Sequence, residues 1–269
     1  MATTMTADRA APDAPLRLFL VAGEPSGDVL GAALLRGLRE ESARPLALSG
    51  VGGPEMARAG LESLFPQDDL AVMGLLEVLP RLRPILRRLD ETVAACLAAK
   101  PEALITIDSP SFGLRVARRV RAADPAIRTI HYVAPTVWAW RPGRALKMAA
   151  HVDHLLALLP FEPPWFTPHG LSCDFVGHPA AARPRASGEE IAALRVSISA
   201  GPETPLLCVL PGSRRGEVSR HLAPFAAVVA LLAERRPGLR VVVPTTAGVA
   251  GAVRDGVAGW AAPVSVLDP

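Results

Sequence analysis

The chain has 269 residues, half of them hydrophobic and 20% charged. That apolar content excludes an intrinsically disordered chain, and the length allows one large domain or two of about 100–200 residues. The net charge of +3 is too small to imply a nucleic-acid partner, where a basic stripe is expected.

Only 4% of the residues are aromatic, so the core must be built from Ala, Val and Leu. No stretch reaches the ~18–20 uninterrupted apolar residues that a spanning helix needs. Of 29 basic residues only Lys100 and Lys147 are lysines. The arginine excess fits either a coding bias or a surface that pairs with phosphate, which Arg does bidentately. Cys96, Cys173 and Cys208 form no CxxC and no disulfide framework, which fits a reducing compartment.

Residues 1–15 carry Ala, Thr, Pro and Asp without an apolar h-region. They read as a disordered leader rather than a secretory signal. Beyond them, short apolar runs alternate with amphipathic stretches. Strands are expected at 16–22, 45–51, 103–108, 128–133, 154–159 and 174–176, with helices at 26–40 and 112–123. Buried runs separated by helices predict βαβ units and a parallel sheet. A first domain therefore covers 16–182. Residues 183–204, rich in Pro and Gly, read as a linker region with a short helical piece near 189–196. The rhythm restarts at 205–269 with strands at 206–210, 239–243 and 264–267 and helices at 217–235 and 249–260. That is about half of a doubly wound domain.

Gly23-Glu24-Pro25-Ser26-Gly27-Asp28 joins the first strand to the first helix. In open α/β sheets the ligand crevice lies at the carboxyl ends of the strands. The spacing is not GxGxxG, and Glu24 and Asp28 would repel a phosphate. Two carboxylates and a Ser suit sugar hydroxyls; an ordinary turn with Ser26 as N-cap is the plainer alternative. Asp108 ends the 103–108 strand. It is placed for general base work on a hydroxyl, or it serves as N-cap or turn residue. Residues 131–141, HYVAPTVWAWR, hold two of the four Trp and the only Tyr. Such a cluster either packs a core corner or lines a pocket; His131 is a candidate base or a structural His.

Gly212, Ser213 and Arg214 open the second domain's first helix. Backbone N–H groups at a helix N-terminus bind anions, and Arg forks onto phosphate oxygens. This loop suits a diphosphate, or else it is a capped helix start with a solvated Arg pair. Residues 72–89 mix Met73, Leu75, Leu76, Leu79, Leu82 and Ile85 with Arg81, Arg83, Arg87 and Arg88. Basic and amphipathic, they fit either an anionic membrane surface or a core helix with an Arg-rich outer face, and Pro80 and Pro84 should break them into short pieces. No HExxH or CxxC occurs, and the His151/His154 pair lacks further ligands, so no metal is expected.

Eight segments taken in order resemble the lipid-A-disaccharide synthases, glycosyltransferase family 19. They are VAGEPSGDVLGA (21–32), GVGGPEM (50–56), DDLAVMGLLEVL (68–79), ITIDSPSFGLRVAR (105–118), IHYVAPTVWAWRPGRALKM (130–148), LLPFEPPWF (158–166), FVGHP (175–179) and LPGSRRGEV (210–218). The resemblance implies an α/β glycosyltransferase-B fold with two Rossmann-like domains, the second incomplete here. It implies transfer of 2,3-diacylglucosamine from UDP-2,3-diacylglucosamine to 2,3-diacylglucosamine 1-phosphate, without a cofactor or metal, with UDP released. Asp108 would be the base. Glu24, Ser26 and Gly27 would bind sugar, and Gly212, Ser213 and Arg214 the diphosphate. The enzyme would work in the cytoplasm, peripherally on the inner membrane, with homodimers formed by longer chains. Pro25 departs from the family's usual Ala, and Ser111 replaces a second acid common in its IDxPDF. The family also continues past residue 269 with further diphosphate-holding residues. Two other readings are a catalytically inactive lipid- or membrane-binding fragment and a UDP-sugar epimerase of similar fold.

Overall fold

A computed structural model describes residues 14–70, 75–246 and 248–268, with 75–82 described by backbone alone. The chain divides into two compact units, Met1–Arg183 and Pro184–Pro269.

The first unit carries β1 (Leu16–Ala22), α1 (Pro25–Glu41), β2 (Leu46–Val51), α2 (Pro54–Arg58), α3 (Leu75–Ala99), β3 (Ala103–Ile107), α4 (Pro110–Ala123), β4 (Arg128–Tyr132), α5 (Arg144–Ala149), β5 (His154–Ala157) and β6 (Ser172–Phe175). Its strands are all parallel, in the order β2-β1-β3-β4-β5-β6. Alternate residues serve opposite faces. Leu18, Leu20 and Ala22 pack with Leu30 and Leu35 of α1. Phe19 and Val21 pack with Leu89 and Cys96 of α3 and with Val116 and Val120 of α4. A sheet covered on both faces needs continuous apolar strands, which is why β1 reads LRLFLVA.

The chain leaves β1 toward β2 on one side and β3 toward β4 on the other. The strand order reverses between β1 and β3, and such a reversal places a ligand crevice at their carboxyl ends.

Three expectations change. Residues 14 and 15 belong to the fold: the Arg44 guanidinium donates to the Ala14 carbonyl at 2.7 Å and the Pro15 carbonyl at 3.0 Å, while gripping Glu102 at 2.7 Å. The remainder of the expected leader lies outside the described residues. Pro80 and Pro84 do not divide the basic stretch, because α3 runs through both; an interior proline removes one intrahelical N–H bond but does not have to end the helix. Two strands are also shorter by two residues at their carboxyl ends than their apolar runs. β5 stops at Ala157 and β7, below, at Cys208, leaving Leu159 and Leu210 exposed.

The second unit holds α6 (Gly188–Ser197), β7 (Leu206–Cys208), α7 (Arg215–Arg235), β8 (Arg240–Pro244), α8 (Ala250–Val257) and β9 (Val264–Leu267), with a parallel sheet β7-β8-β9. Val218, Val229, Val241, Val243, Val253 and Val257 form its core. α7 is the one described helix long and apolar enough to cross a membrane by length and composition, but Val218 and Val229 are buried in this core. Within the stretch expected as a linker, α6 is closed by a capping box between Ser187 and Glu190. Ile198 and Ala200 then bury against Val242, so this stretch packs onto the second unit's sheet.

Candidate active site

At the strand reversal of the first unit, the Ser26 hydroxyl donates to Asp108 Oδ2 at 2.7 Å. α1 makes this possible. Glu24 is its N-cap residue and Pro25 starts the first turn, which fits proline's missing N–H. Ser26 therefore does not cap; its hydroxyl is directed at β3's end. Gly27 is buried, and a Cβ there would come within 3.0 Å of the Ile107 carbonyl oxygen. Its glycine is what lets α1 approach β3 so closely. Glu24 is half-buried, and its carbonyl accepts from Gln67 Nε2 at 3.0 Å.

Asp108 does not cap α4 either, since Ser109 holds that position. Asp108 and Ser109 both have left-handed backbone, φ +51° and +39°, and Val133 at the end of neighbouring β4 has φ +85°. Non-glycine residues in this region store about 1–3 kcal/mol of strain each, and such strain gathers at ligand sites. The Asp108 N–H donates to the Tyr132 carbonyl at 2.9 Å, which fixes the turn. The carboxylate is left half-exposed, oriented by one hydroxyl and open to a further donor. That suits a base for a sugar hydroxyl.

Asp28 has a different task. It is 3% exposed and accepts from the N–H groups of Gly53, Glu55 and Met56, each at 2.9 Å. A buried carboxylate thus caps α2. A Cβ on Gly53 would lie 2.5 Å from Asp28 Oδ2, so GVGGPEM is the seat of this carboxylate.

His131 lies wholly inside. Its Nδ1 is 2.7 Å from Thr106 Oγ1, and its Nε2 has no partner among the described residues. Burial pushes its pKa down to about 4, with Asp108 opposing, so it is structural and neutral rather than a solvent-reachable base. A histidine whose folded pKa is depressed from 6.5 to about 4 favours folding above 6.5. That contribution is lost as the pH falls toward 4, because only the unfolded chain takes the proton. His131→Leu should flatten this slope in denaturant titrations between those values; an unchanged slope assigns it to other groups.

In the second unit, residues 209–214 link β7 to α7. Gly212 has φ +116°, and a Cβ there would meet Glu217 Oε2 at 2.6 Å. The Glu217 carboxylate accepts from the Ser213 N–H at 3.2 Å and from Arg214 Nη1 at 3.0 Å. The Arg214 hydrogen bond holds this carboxyl below its ordinary range. The donors thus already face an anionic group, and α7 begins two residues earlier than its apolar pattern suggested. Glu217 as an organiser of this loop escaped the sequence reading. A Glu in the first turn that reaches back to N–H groups before the helix is the signal that could have found it.

Of the basic stretch, Met73 lies outside the described residues, and Leu75, Leu76, Leu79, Arg81 and Leu82 are described by backbone only. Arg83 and Arg87 are exposed. Ile85 packs against the core. Arg88 is gripped by Asp69 and Glu91 and lies 4.4 Å over the Phe65 ring. The fold uses these last two side chains itself, which removes them from a membrane face.

His154 pairs with Asp174 at 2.9 Å, and among the described residues no group of three or more His, Cys, Asp or Glu is placed to hold a metal ion. Cys96 and Cys173 are free, and burial pushes their thiols up to about 12 and about 11, far from nucleophilic.

The architecture is shared with solved sugar-nucleotide enzymes. The chain superposes on the UDP-GlcNAc 2-epimerase of Neisseria meningitidis, solved with UDP-GlcNAc, with a TM-score of 0.67 at 9% identity, covering 94% of this chain and 72% of that one. For the Methanocaldococcus jannaschii UDP-GlcNAc 2-epimerase, solved with UDP-GlcNAc and UDP, the TM-score is 0.60 at 11% identity, over 94% and 73%. The class is therefore an α/β chain of the glycosyltransferase-B type with Rossmann-like units.

The lipid-A-disaccharide synthetase family profile matches residues 18–250, and the chain belongs to that family. It is 52% identical over 253 residues to a lipid-A-disaccharide synthase of Rhodospirillum centenum, covering 94% of this chain and 63% of that one. With the enzyme of Paramagnetospirillum magneticum the identity is 47% over 250 residues, covering 93% and 64%. The chain thus spans a little under two thirds of the length of these relatives.

Proposed function

We propose that this chain carries the acceptor-side base and part of the donor site of an inverting glycosyltransferase. The reaction passes 2,3-diacylglucosamine from UDP-2,3-diacylglucosamine to 2,3-diacylglucosamine 1-phosphate. The observation that carries this reading is the Ser26–Asp108 pair, 2.7 Å apart at the strand reversal, in a member of the lipid-A-disaccharide synthetase family.

In this reading the acceptor's 6-hydroxyl oxygen attacks the donor's anomeric carbon. Its proton goes to the Asp108 carboxylate. The bond from the anomeric carbon to the diphosphate oxygen breaks, and its electron pair leaves on UDP. Ser26 holds Asp108 in the receiving orientation. Glu24 lies at the same edge for sugar hydroxyls, and Gly27 acts by letting α1 come close rather than by touching substrate. Donors fixed in advance at a developing charge are worth most in a transition state. Arg214 and the N–H groups of Gly212 and Ser213 are the candidates for the leaving diphosphate, with Glu217 giving way to it. No metal or other cofactor enters this reading. The exposed Arg83 and Arg87 of α3 suit the anionic cytoplasmic face of the inner membrane, where diacylated substrates reside. A homodimer of the longer chain remains part of the same proposal.

The test is release of UDP from the diacylated donor with and without acceptor. Release that depends on acceptor supports transfer. Turnover of UDP-GlcNAc without any acceptor would replace it by an epimerase.

A further inference from the structure

The turn that presents Ser26 to Asp108 is held from beneath by a side chain that the transfer reading leaves unused, Gln67. It lies between α2 and α3, in the single turn Gln67–Asp69, and is 7% exposed. Its Nε2 donates to the Ala22 carbonyl at 2.8 Å and to the Glu24 carbonyl at 3.0 Å. Two carbonyls on one side-chain atom fix which end of the amide is the nitrogen, because a carbonyl only accepts. Both amide hydrogens are thereby spent on the residues that flank Gly23.

The need for these donors follows from the sheet. β1 pairs with β2 as far as Val21 and Val51, and with β3 as far as Ala22 and Ile107. Ala22 is one residue past the last pair with β2, and Gln67 supplies a donor there. The Glu24 carbonyl also takes the Asp28 N–H at 3.0 Å, which closes the first turn of α1. Its second lone pair is the one that Gln67 fills.

The amide is itself held from two sides. The Leu64 N–H donates to the Gly50 carbonyl at 2.9 Å, which pins the segment to the end of β2. Arg88 grips Asp69 and covers the Phe65 ring, which pins it to α3. Room for the amide comes from Gly53, where a Cβ would lie 2.5 Å from both Gln67 Oε1 and Asp28 Oδ2. An acid at 67 would therefore bring a second carboxylate up to the buried one, so the position suits a neutral amide. Ser26 is exposed between two buried anchors: Gln67 on the Glu24 carbonyl, and Asp28 on the N–H groups of α2.

We infer that Gln67 is a positioning residue of the acceptor-side site: its amide holds the β1–α1 turn in the shape that carries the Ser26 hydroxyl to Asp108. Its effect on rate rests on the transfer reading, whereas its effect on the turn does not.

Gln67→Met keeps the length of the side chain and removes both donors. Hydrogen exchange at the Asp28 N–H reads the turn directly and should become about tenfold faster or more, the effect of losing one hydrogen bond's worth of protection. Ser63→Ala is the control. Its hydroxyl donates to the Phe65 carbonyl at 2.7 Å in the same segment and does not touch the turn, so it should lower Tm and leave Asp28 exchange and kcat unchanged. In turnover, Gln67→Met should lose about 10–100-fold in kcat, since an ångström of misplacement can cost about a hundredfold, with the donor's KM unchanged. Ser26→Ala should lose kcat too. The double variant S26A/Q67M should fall no further than the worse single one, because both act through one contact. Should Gln67→Met not fold, Gln67→Asn, whose amide is withdrawn by one methylene, is expected to move each quantity in the same direction. A chain that transfers nothing sinks the transfer reading and leaves the exchange rates to decide the inference. Unchanged Asp28 exchange, an unchanged kcat in a chain that does transfer, or losses that add in full in S26A/Q67M would each overturn it.

Discussion

Asp108→Asn should lower turnover by about 10²–10⁴-fold, the usual contribution of a positioned base, while the Tm and the donor's KM stay near those of the unaltered chain. Asparagine is the informative replacement because Asp108 sits at φ +51°. Asn tolerates left-handed backbone, and its amide can still meet the Ser26 hydroxyl, which lies 2.7 Å from the carboxylate. Asp108→Ala removes the same base but adds a penalty of about 1–2 kcal/mol for an alanine in this region. The two variants should therefore match in lost turnover and differ in Tm. Steady-state rates with saturating donor and acceptor, beside thermal melts, measure both. A wild-type-like rate for Asp108→Asn would take Asp108 out of the base role and leave it as a turn residue.

Arg214→Ala should cost about 10–100-fold in kcat/KM, since a hydrogen bond to a charged group contributes about 1.5–3 kcal/mol. Most of the loss should fall on kcat, because the diphosphate gains charge as it leaves. Part has a second origin. Arg214 also pairs with Glu217 at 3.0 Å, and without it that carboxylate stays beside the Ser213 N–H as an uncompensated anion. Arg214→Ala combined with Glu217→Gln should therefore recover some of the lost donor affinity. Arg214→Lys should recover less than full activity, because a point charge replaces a fork. UDP binding by calorimetry and turnover together read these effects. Unchanged UDP affinity and rate in Arg214→Ala would move the diphosphate elsewhere.

Much of the first unit was legible because its sheet is covered on both faces. Continuous apolar runs announced β1 with the bounds it has, Leu16–Ala22, and placed Asp108 at a strand end. The residue types at that end were legible too, but their partnerships were not. Ser26 looked like a cap, and only the approach of α1 over Gly27 turns its hydroxyl to Asp108. Asp28 looked like a second sugar-binding carboxylate, yet a loop some 25 residues on folds three N–H groups around it. The short helix near 189–196 was legible and is α6, Gly188–Ser197, but that its stretch packs onto the second unit's sheet was not, because that packing rests on two small residues just past the helix, Ile198 and Ala200, rather than on an amphipathic face. The aromatic run at 131–141 divided in a way no periodicity reports: Ala134 and Val137 go inside, while the two tryptophans stay out.

The structure of the product tests the central claim most directly. Donor and acceptor are incubated with the chain, and the anomeric proton of the new sugar linkage is read by NMR. The account predicts a β-1,6-linked disaccharide 1-phosphate, formed with one UDP per linkage and lost in Asp108→Asn. An α linkage, a 2-epimerised donor without disaccharide, or equal yield from Asp108→Asn would contradict it.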